Sequence, residues 1–293
     1  MGTYVVIGMV SGVIYGLVGL GLVLIYKGSR VFNFAQGEFA TMAMYTMYFT
    51  TELRHMNYGL AMLLALAVGV LLGLATERFV ARPLASAPRA LALVGTAGMA
   101  LFLIGLQLFF FKPIPRTMGP ALHGNGPEVL GYFVSNQKLL SVAVLIAISA
   151  GAALFFKKTY LGMAVLASSQ DAFAARVVGA NVNRISSLTW GIAGLLGAVA
   201  GLLLGPDVQF YPGFMTTAIL IPAFTAGIVG GMTSLVGALV AGQIIGLVEG
   251  LGQYLIVKSP ALQLIPEGTT LLIFLVLIAT LLIRPKGLFG AEA

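Results

Sequence analysis

Apolar stretches separated by short polar breaks recur along the chain, at about 4–26, 34–51, 58–77, 90–111, 139–156, 186–205, 215–231, 235–257 and 267–283. A helix needs about 20 apolar residues to cross the hydrocarbon of a bilayer. The pattern therefore predicts an all-α fold, a polytopic transmembrane helix bundle of eight or nine spans, in one integral-membrane domain over 1–293. The stretch 34–51 is short and opens on polar residues, so it is predicted to be broken or re-entrant, which is why the count stays at eight or nine. One polar interruption, about 157–185, is longer than a turn needs. It contains Ser168, Ser169, Gln170 and Asp171, then Phe173-Ala174-Ala175-Arg176-Val177-Val178-Gly179 and Asn181. Phe173, Val177 and Val178 keep helical spacing, with Asp171, Arg176 and Asn181 on other faces. This predicts a short amphipathic helix opened by Ser or Asp and closed by a left-handed Gly179. Such a helix between two spans is a docking handle for a soluble partner.

Charge gives the spans a direction. Alternating the runs puts Lys27, Arg30, Arg78, Arg82, Arg89, Lys157, Lys158, Arg176, Arg184, Arg284 and Lys286 on one side, against Arg54, Lys112, Arg116, Lys138 and Lys258 on the other. Basic residues accumulate on the cytoplasmic side, so the N-terminus is predicted outside and the 157–185 loop and C-terminus inside. Composition agrees: 59% of residues are hydrophobic and 9% charged, where soluble domains carry about 25% charged residues. In this setting the net charge of +7 reports orientation rather than nucleic-acid binding. The start, Met-Gly-Thr-Tyr-Val-Val, has no basic n-region, so the first run reads as a retained span rather than a cleaved signal. The absence of cysteine excludes disulfides, thiolate metal sites and a cysteine nucleophile.

Polar and small residues inside the runs are the candidates for function. Gly8, Gly12 and Gly16, then Gly197, Gly201 and Gly205, then Gly242, Gly246 and Gly250, each form a stripe at four-residue spacing. Such stripes let helices pack closely, and the same smooth faces would also suit the walls of a narrow substrate path. Asn33, Gln36 and Glu38 lie where a helix enters the membrane, with Gly37 able to permit a bend. A carboxylate there either pairs with Arg30 or a neighbouring helix, or serves gating or the pathway. Glu249 inside the eighth run has the same two readings. Pro222 interrupts a run and should kink its helix. Thr225 follows it, and Gly230-Gly231 makes the turn. Pro83 and Pro88 bound a short basic loop. Phe79-Val-Ala-Arg82 is echoed by Phe173-Ala-Ala-Arg176, a hint of internal duplication. The loop 112–138, with Pro113, Pro115 and Pro120, shows turn chemistry without an apolar period and is predicted irregular. His123 there reads as a solvated loop residue.

Several of these motifs together resemble one family. Asn33-Phe-Ala-Gln36-Gly37-Glu38-Phe39, Arg82-Pro83-Leu84, the Asp171–Arg184 loop, and Ala223-Phe224-Thr225-Ala226 with Gly230-Gly231 are similar to the branched-chain amino-acid ABC importer permeases, specifically the smaller, H-type subunit. The resemblance runs in order over nearly the whole chain. It implies a bacterial inner-membrane permease that moves a small polar solute, a branched-chain or other amino acid, into the cell. Its implied partners are a second homologous permease, two cytoplasmic P-loop ATPases, a periplasmic or lipid-anchored binding protein, and the lipid bilayer. No cofactor is implied for this chain, since ATP would be hydrolysed by the partner subunits. It also implies that Gln170, Asp171, Phe173, Ala174, Ala175, Arg176, Gly179 and Arg184 belong to the ATPase-coupling loop, with Phe173 where related importers carry Glu. Asn33, Gln36, Glu38, Thr225, Gly230, Gly231 and Glu249 are the candidates for the pathway or its gating. Gln36 stands where the family commonly has His, and Pro222 where Lys is common. Relatives of the family import urea, short amides and small organic acids, so the resemblance leaves the substrate open.

Two other classes remain to be weighed. A secondary transporter coupled to an ion gradient through Glu38 and Glu249 would need no ATPase. An intramembrane enzyme would need a nucleophile–base pair or a metal cluster, and two separated histidines, no cysteine and no H-E-x-x-H segment argue against it. The chain also lacks the G-x-x-x-x-G-K-[ST] loop of a nucleotide hydrolase.

Overall fold

The computed structural model describes residues 1–170, 172–177 and 179–290, leaving aside the side chains at 157, 169, 172 and 173. Thirteen α-helices are seen among the described residues: α1 Gly2–Ser29, α2 Gln36–Tyr48, α3 Tyr58–Thr76, α4 Arg89–Phe111, α5 Asn136–Lys158, α6 Tyr160–Gln170, α7 Ala172–Val177, α8 Val182–Leu204, α9 Phe214–Ala218, α10 Leu220–Gly230, α11 Leu235–Lys258, α12 Pro260–Gln263 and α13 Gly268–Ile283. Single π-turns extend α2 (Phe49–Leu53) and α3 (Glu77–Ala81). Among the described residues six helical segments are long and apolar enough to cross a membrane: Gly2–Ser29, Tyr58–Ala81, Arg89–Phe111, Asn136–Phe156, Val182–Asp207 and Leu235–Lys258. Leu220–Gly230 and Gly268–Ile283 are apolar but shorter. The predicted all-α bundle is therefore what is seen.

The centre of the bundle is α1. From Gly12 to Ile25 every residue of it is buried, because α8, α10 and α11 pack around it. The glycine stripes explain how. Gly8, Gly12 and Gly16 lie directly against Gly242, Gly246 and Gly250 of antiparallel α11, so that a methyl group on one helix would meet the backbone of the other. Gly69 and Gly73 of α3 meet Gly194 and Trp190 of α8 in the same way. Gly197 and Gly201 on another face of α8 admit Gln36 and Ala40 of α2, and Gly205 admits Met118. Three predicted stripes thus serve backbone-close helix packing.

These seams also reveal an internal relation. The pairs α2–α8, α3–α8, α2–α3 and α2–α4 are matched by the pairs α10–α1, α11–α1, α10–α11 and α10–α13. Since α1 runs toward the basic end and α8 away from it, the two sets have opposite sense, the arrangement of an inverted repeat. The sequence echo between Phe79 and Phe173 does not mark this relation: one segment follows α3 and the other precedes α8, positions the packing does not equate.

Two loops differ from expectation. The segment 112–138 carries a β-hairpin, β1 Asn125–Val129 with β2 Tyr132–Ser135. Its two-residue turn, Leu130-Gly131, has φ of 53° and 80°, the left-handed pair that matches strand twist. Leucine is no turn signal, which hid it. The 157–185 stretch holds two helices, not one: α5 continues to Lys158, and α6 packs back on it with Val165 and Ser168 buried.

Candidate functional site

At the basic end of the bundle the chain builds a compact loop assembly around α7. The six residues of α7 end in two hydrogen bonds, Ala180 N–H to Ala175 O at 2.9 Å and Gly179 N–H to Arg176 O at 3.0 Å. With Gly179 at φ 90° this is a Schellman close, as the sequence predicts. Asn181 then caps α8, its Oδ1 accepting from Arg184 N–H at 3.1 Å. Among the described side chains of α7, Ala175 is buried, while Ala174, Arg176 and Val177 face out. Val177 is 72% exposed, which corrects the expectation that it packs on the apolar side of the helix. A short helix cannot turn both Ala175 and Val177 inward, since they lie about 200° apart. Gln170 and Arg184 are exposed as well. Asp171 lies outside the described residues, as do the side chain of Phe173 and all of Val178.

Behind α7 sits an ion pair that the sequence reading did not single out. The π-turn brings Glu77 and Arg82 side by side, with Arg82 N–H on Glu77 O at 2.8 Å. The guanidinium then grips the carboxylate with both arms, Nε to Oε1 at 3.0 Å and Nη2 to Oε2 at 2.7 Å. Arg82 Nη2 also reaches Ser187 Oγ of α8 at 2.8 Å, and Ser187 donates to Glu77 Oε2 at 3.1 Å. Glu77 is 2% exposed, so this charge-assisted network ties the end of α3 to the first turns of α8 in a site of low dielectric. The signal available beforehand was a Glu-Arg-x-x-x-Arg run followed by Pro83, but a π-turn cannot be read from a helical period.

The second group lies deeper, where α1 gives way to α2. Asn33 Oδ1 accepts from Ala35 N–H at 3.0 Å, a turn closed by its own side chain, and its Nδ2 donates to Gln36 Oε1 at 3.3 Å. Gln36 Nε2 donates to Ala193 O of α8 at 2.8 Å. Thr96 of α4 accepts from Phe34 N–H and donates to Phe32 O. Glu38 takes its partner from α4 and not from Arg30: Gln107 Nε2 donates to Glu38 Oε2 at 2.7 Å, and Gln107 Oε1 accepts from Gly213 N–H at 3.0 Å. Asn33, Gln36, Glu38 and Gln107 are all fully buried. Glu38 Oε1 and Thr216 Oγ1, from the facing α9, are buried with no hydrogen-bond partner. The polar entry of α2 is thus a cross-link joining α2, α4, α8 and the start of α9. Thr96 and Gln107, the polar residues within the apolar run of α4, were the overlooked clue.

The remaining candidates stand apart from both groups. Thr225 is buried, its hydroxyl donating to Ile221 O of its own helix at 2.9 Å. Pro222 interrupts its run as expected: its ring excludes the carbonyl of residue 218, where α9 ends, and Ile219, still in the helical region, joins α9 to α10. Gly230 packs on the backbone of Gly237, and Gly231, at φ 88°, on that of Gly290. This turn is further held by Lys27 Nζ to Thr233 O at 2.8 Å and Leu288 N–H to Val229 O at 2.7 Å. Glu249 is half-buried between α11 and α1, accepting from Tyr15 OH at 2.7 Å. Among the described residues no group of three His, Cys, Asp or Glu could hold a metal.

The family model described as "Branched-chain amino acid transport system / permease component" matches residues 4–281. The chain is 28% identical to the high-affinity branched-chain amino acid transport system permease protein BraD of Pseudomonas aeruginosa, over 97% of this chain and 94% of that one. It is 29% identical to the corresponding protein LivH of Escherichia coli, over 97% and 93%. A probable branched-chain amino acid transport permease protein LivH of Methanocaldococcus jannaschii is 30% identical over 94% and 88%.

Proposed function

Because the chain belongs to the branched-chain amino acid transport system permease components, we propose that it is one permease half of an ABC importer that carries a branched-chain or other small amino acid into the cell. As a transport permease it performs no covalent chemistry. The family membership sets aside the ion-coupled reading, and Glu38 and Glu249 then need not carry an ion. The substrate proposal rests on the similar proteins named above, each described as a branched-chain amino acid permease.

In this reading two P-loop ATPases, a second homologous permease and an external binding protein complete the transporter, and the basic end of the bundle faces the cytoplasm with the N-terminus outside. The observation that carries the ATPase contact is α7. It presents Arg176 and Val177 outward on a turn locked by Gly179, and a short exposed amphipathic helix of this kind seats in a groove of a partner. The Arg82–Glu77–Ser187 network lies behind it, so movement imposed on α7 and the start of α8 reaches the end of α3. Asn33, Gln36 and Glu38 set the entry angle of α2, a gating position rather than a lining one. Thr225, Gly230 and Gly231 serve the broken α9–α10 element by packing, and Glu249 remains the pathway candidate with an accessible side.

The test is a pull-down from detergent-solubilised membranes, followed by reconstitution. Recovery of two P-loop ATPases and a second permease supports the reading. Recovery of the chain alone, with uptake that follows an ion gradient, overturns it. In the reconstituted transporter, Arg176→Glu and Gly179→Val are expected to lower solute-stimulated ATP hydrolysis and uptake by tenfold or more, about the effect of losing one tightly used contact. Normal uptake in both variants removes α7 from the coupling role.

A further inference from the structure

We propose that the cleft between α5 and the core of the bundle holds one acyl chain of a membrane phospholipid. The cleft measures about 440 Å³. Its outer wall is one face of α5, where Val144, Ile148, Gly151 and Phe155 recur at the three- and four-residue spacing of a single helix side. Leu20 and Leu24 of α1 and Leu196 of α8 form the facing wall. Helix α5 is fastened to the bundle near its start. There Gln137 Nε2 donates to Leu203 O at 3.3 Å and Gln137 Oε1 accepts from Ala121 N–H at 3.0 Å, with Ser141 and Leu145 buried. Farther along, the helix stands off from the core, and a methyl group at Gly151 would meet nothing within 4 Å.

The walls select the occupant. From Val144 to Phe155 the slot follows three turns of helix, about 17 Å at 1.5 Å per residue, and about 440 Å³ over that length is one hydrocarbon chain wide. Every residue lining it is apolar, so neither water nor a polar solute finds a side chain to bond. An unfilled apolar void of this size is destabilising, and the solvent around a membrane-spanning helix is itself hydrocarbon. A partner protein has no way in between two walls of one chain. Charge completes the match. Lys158 lies seven residues beyond Gly151, within about 20° of the same face of α5. It is exposed, and no described carboxylate pairs with it. A phosphate held there leaves its acyl chain along Phe155, Gly151 and Ile148. Filled in this way, the slot braces α5, which leads through α6 into α7. The site stands whichever end of the bundle is cytoplasmic.

The experiment places the purified full chain in nanodiscs of phosphatidylglycerol that carries a diazirine midway along one acyl chain. After irradiation, adducts are mapped by peptide mass spectrometry. They are expected on Leu20 or Leu24 and on Leu196, which are 2%, 2% and 6% exposed and which a lipid chain reaches through the slot. Leu282 of α13, 80% exposed, is labelled in any case and serves as the reference. Gly151→Leu fills the slot from its own wall and should lower the adducts on the three slot leucines severalfold relative to Leu282. Ala147→Leu fills it from the neighbouring turn and carries the test if Gly151→Leu does not fold. Lys158→Glu should also lower the slot adducts severalfold. Labelling of Leu282 alone in the wild-type chain overturns the proposal, and so do undiminished slot adducts in a folded filled variant. Undiminished adducts in Lys158→Glu assign the slot to a chain with no phosphate at Lys158 and overturn the phospholipid.

Discussion

Glu38 is a carboxyl with no ion-pair partner among the described residues, and Gln107 holds one of its oxygens and is itself anchored by Gly213 N–H. Replacing Gln107 with Leu removes a donor from the carboxyl and an acceptor from that backbone amide together. We expect Gln107→Leu to lower stability by about 2–4 kcal/mol, read as a fall in melting temperature in detergent. Glu38→Gln, which keeps an acceptor toward α4, should cost less, and the opposite ranking would show that the carboxyl itself carries the stability. At this scale the sequence was legible in part. Asn33, Gln36 and Glu38 announce themselves as polar residues at a membrane entry, and Gly179 as a helix stop. Their partners do not, since Gln107 is 69 residues from Glu38 and nothing local says which helix it faces. Glu77 was missed for a different reason: its partner Arg82 is only five residues on, but a π-turn is what brings the two together.

Among the elements, the glycine seams give the sharpest expectation. A methyl group at Gly246 would push on the backbone of Gly8 and Gly12, while one at Gly98 on α4 meets nothing within 4 Å. Gly246→Ala should therefore destabilise by about 1–3 kcal/mol through overpacking. Gly98→Ala should be neutral or stabilise by up to about 1 kcal/mol, since alanine favours the helix. Thermal unfolding of the two variants in one detergent checks the contrast, and equal effects would remove the packing explanation. The run pattern located most helices because a membrane demands apolar length. It could not find the hairpin, whose turn uses a leucine, or α6, whose buried residues Val165 and Ser168 are too few to set a period. Nor could it separate packing stripes from pathway walls, because both need small residues.

At the level of the whole molecule, the two opposed helix sets meet along α1 and α8, and Arg82 is the ionic tie that crosses between them at the basic end among the described residues, beside the neutral-acceptor bonds Lys27 to Thr233 O and Trp190 to Ser29. Arg82→Lys keeps the charge and loses the fork that holds Glu77 and Ser187 together. The reconstituted transporter with this variant should hydrolyse more ATP per solute moved, with assembly intact. An unchanged ratio would mean that the tie is dispensable to coupling. The inverted relation itself was not legible in the sequence. The one echo pointed elsewhere, because the two sets share a packing scheme built from small residues and no shared motif.

The central position of α1 has a consequence for biosynthesis. It is made well before its closest partner, α11, which begins at Leu235. At about 5–20 residues per second, translation leaves α1 without that partner for roughly ten to fifty seconds, its glycine groove facing lipid or an insertion factor. Contacts so distant along the chain form slowly. A nascent chain stalled before α11 should therefore be a substrate for membrane proteases, however well its first ten helices insert.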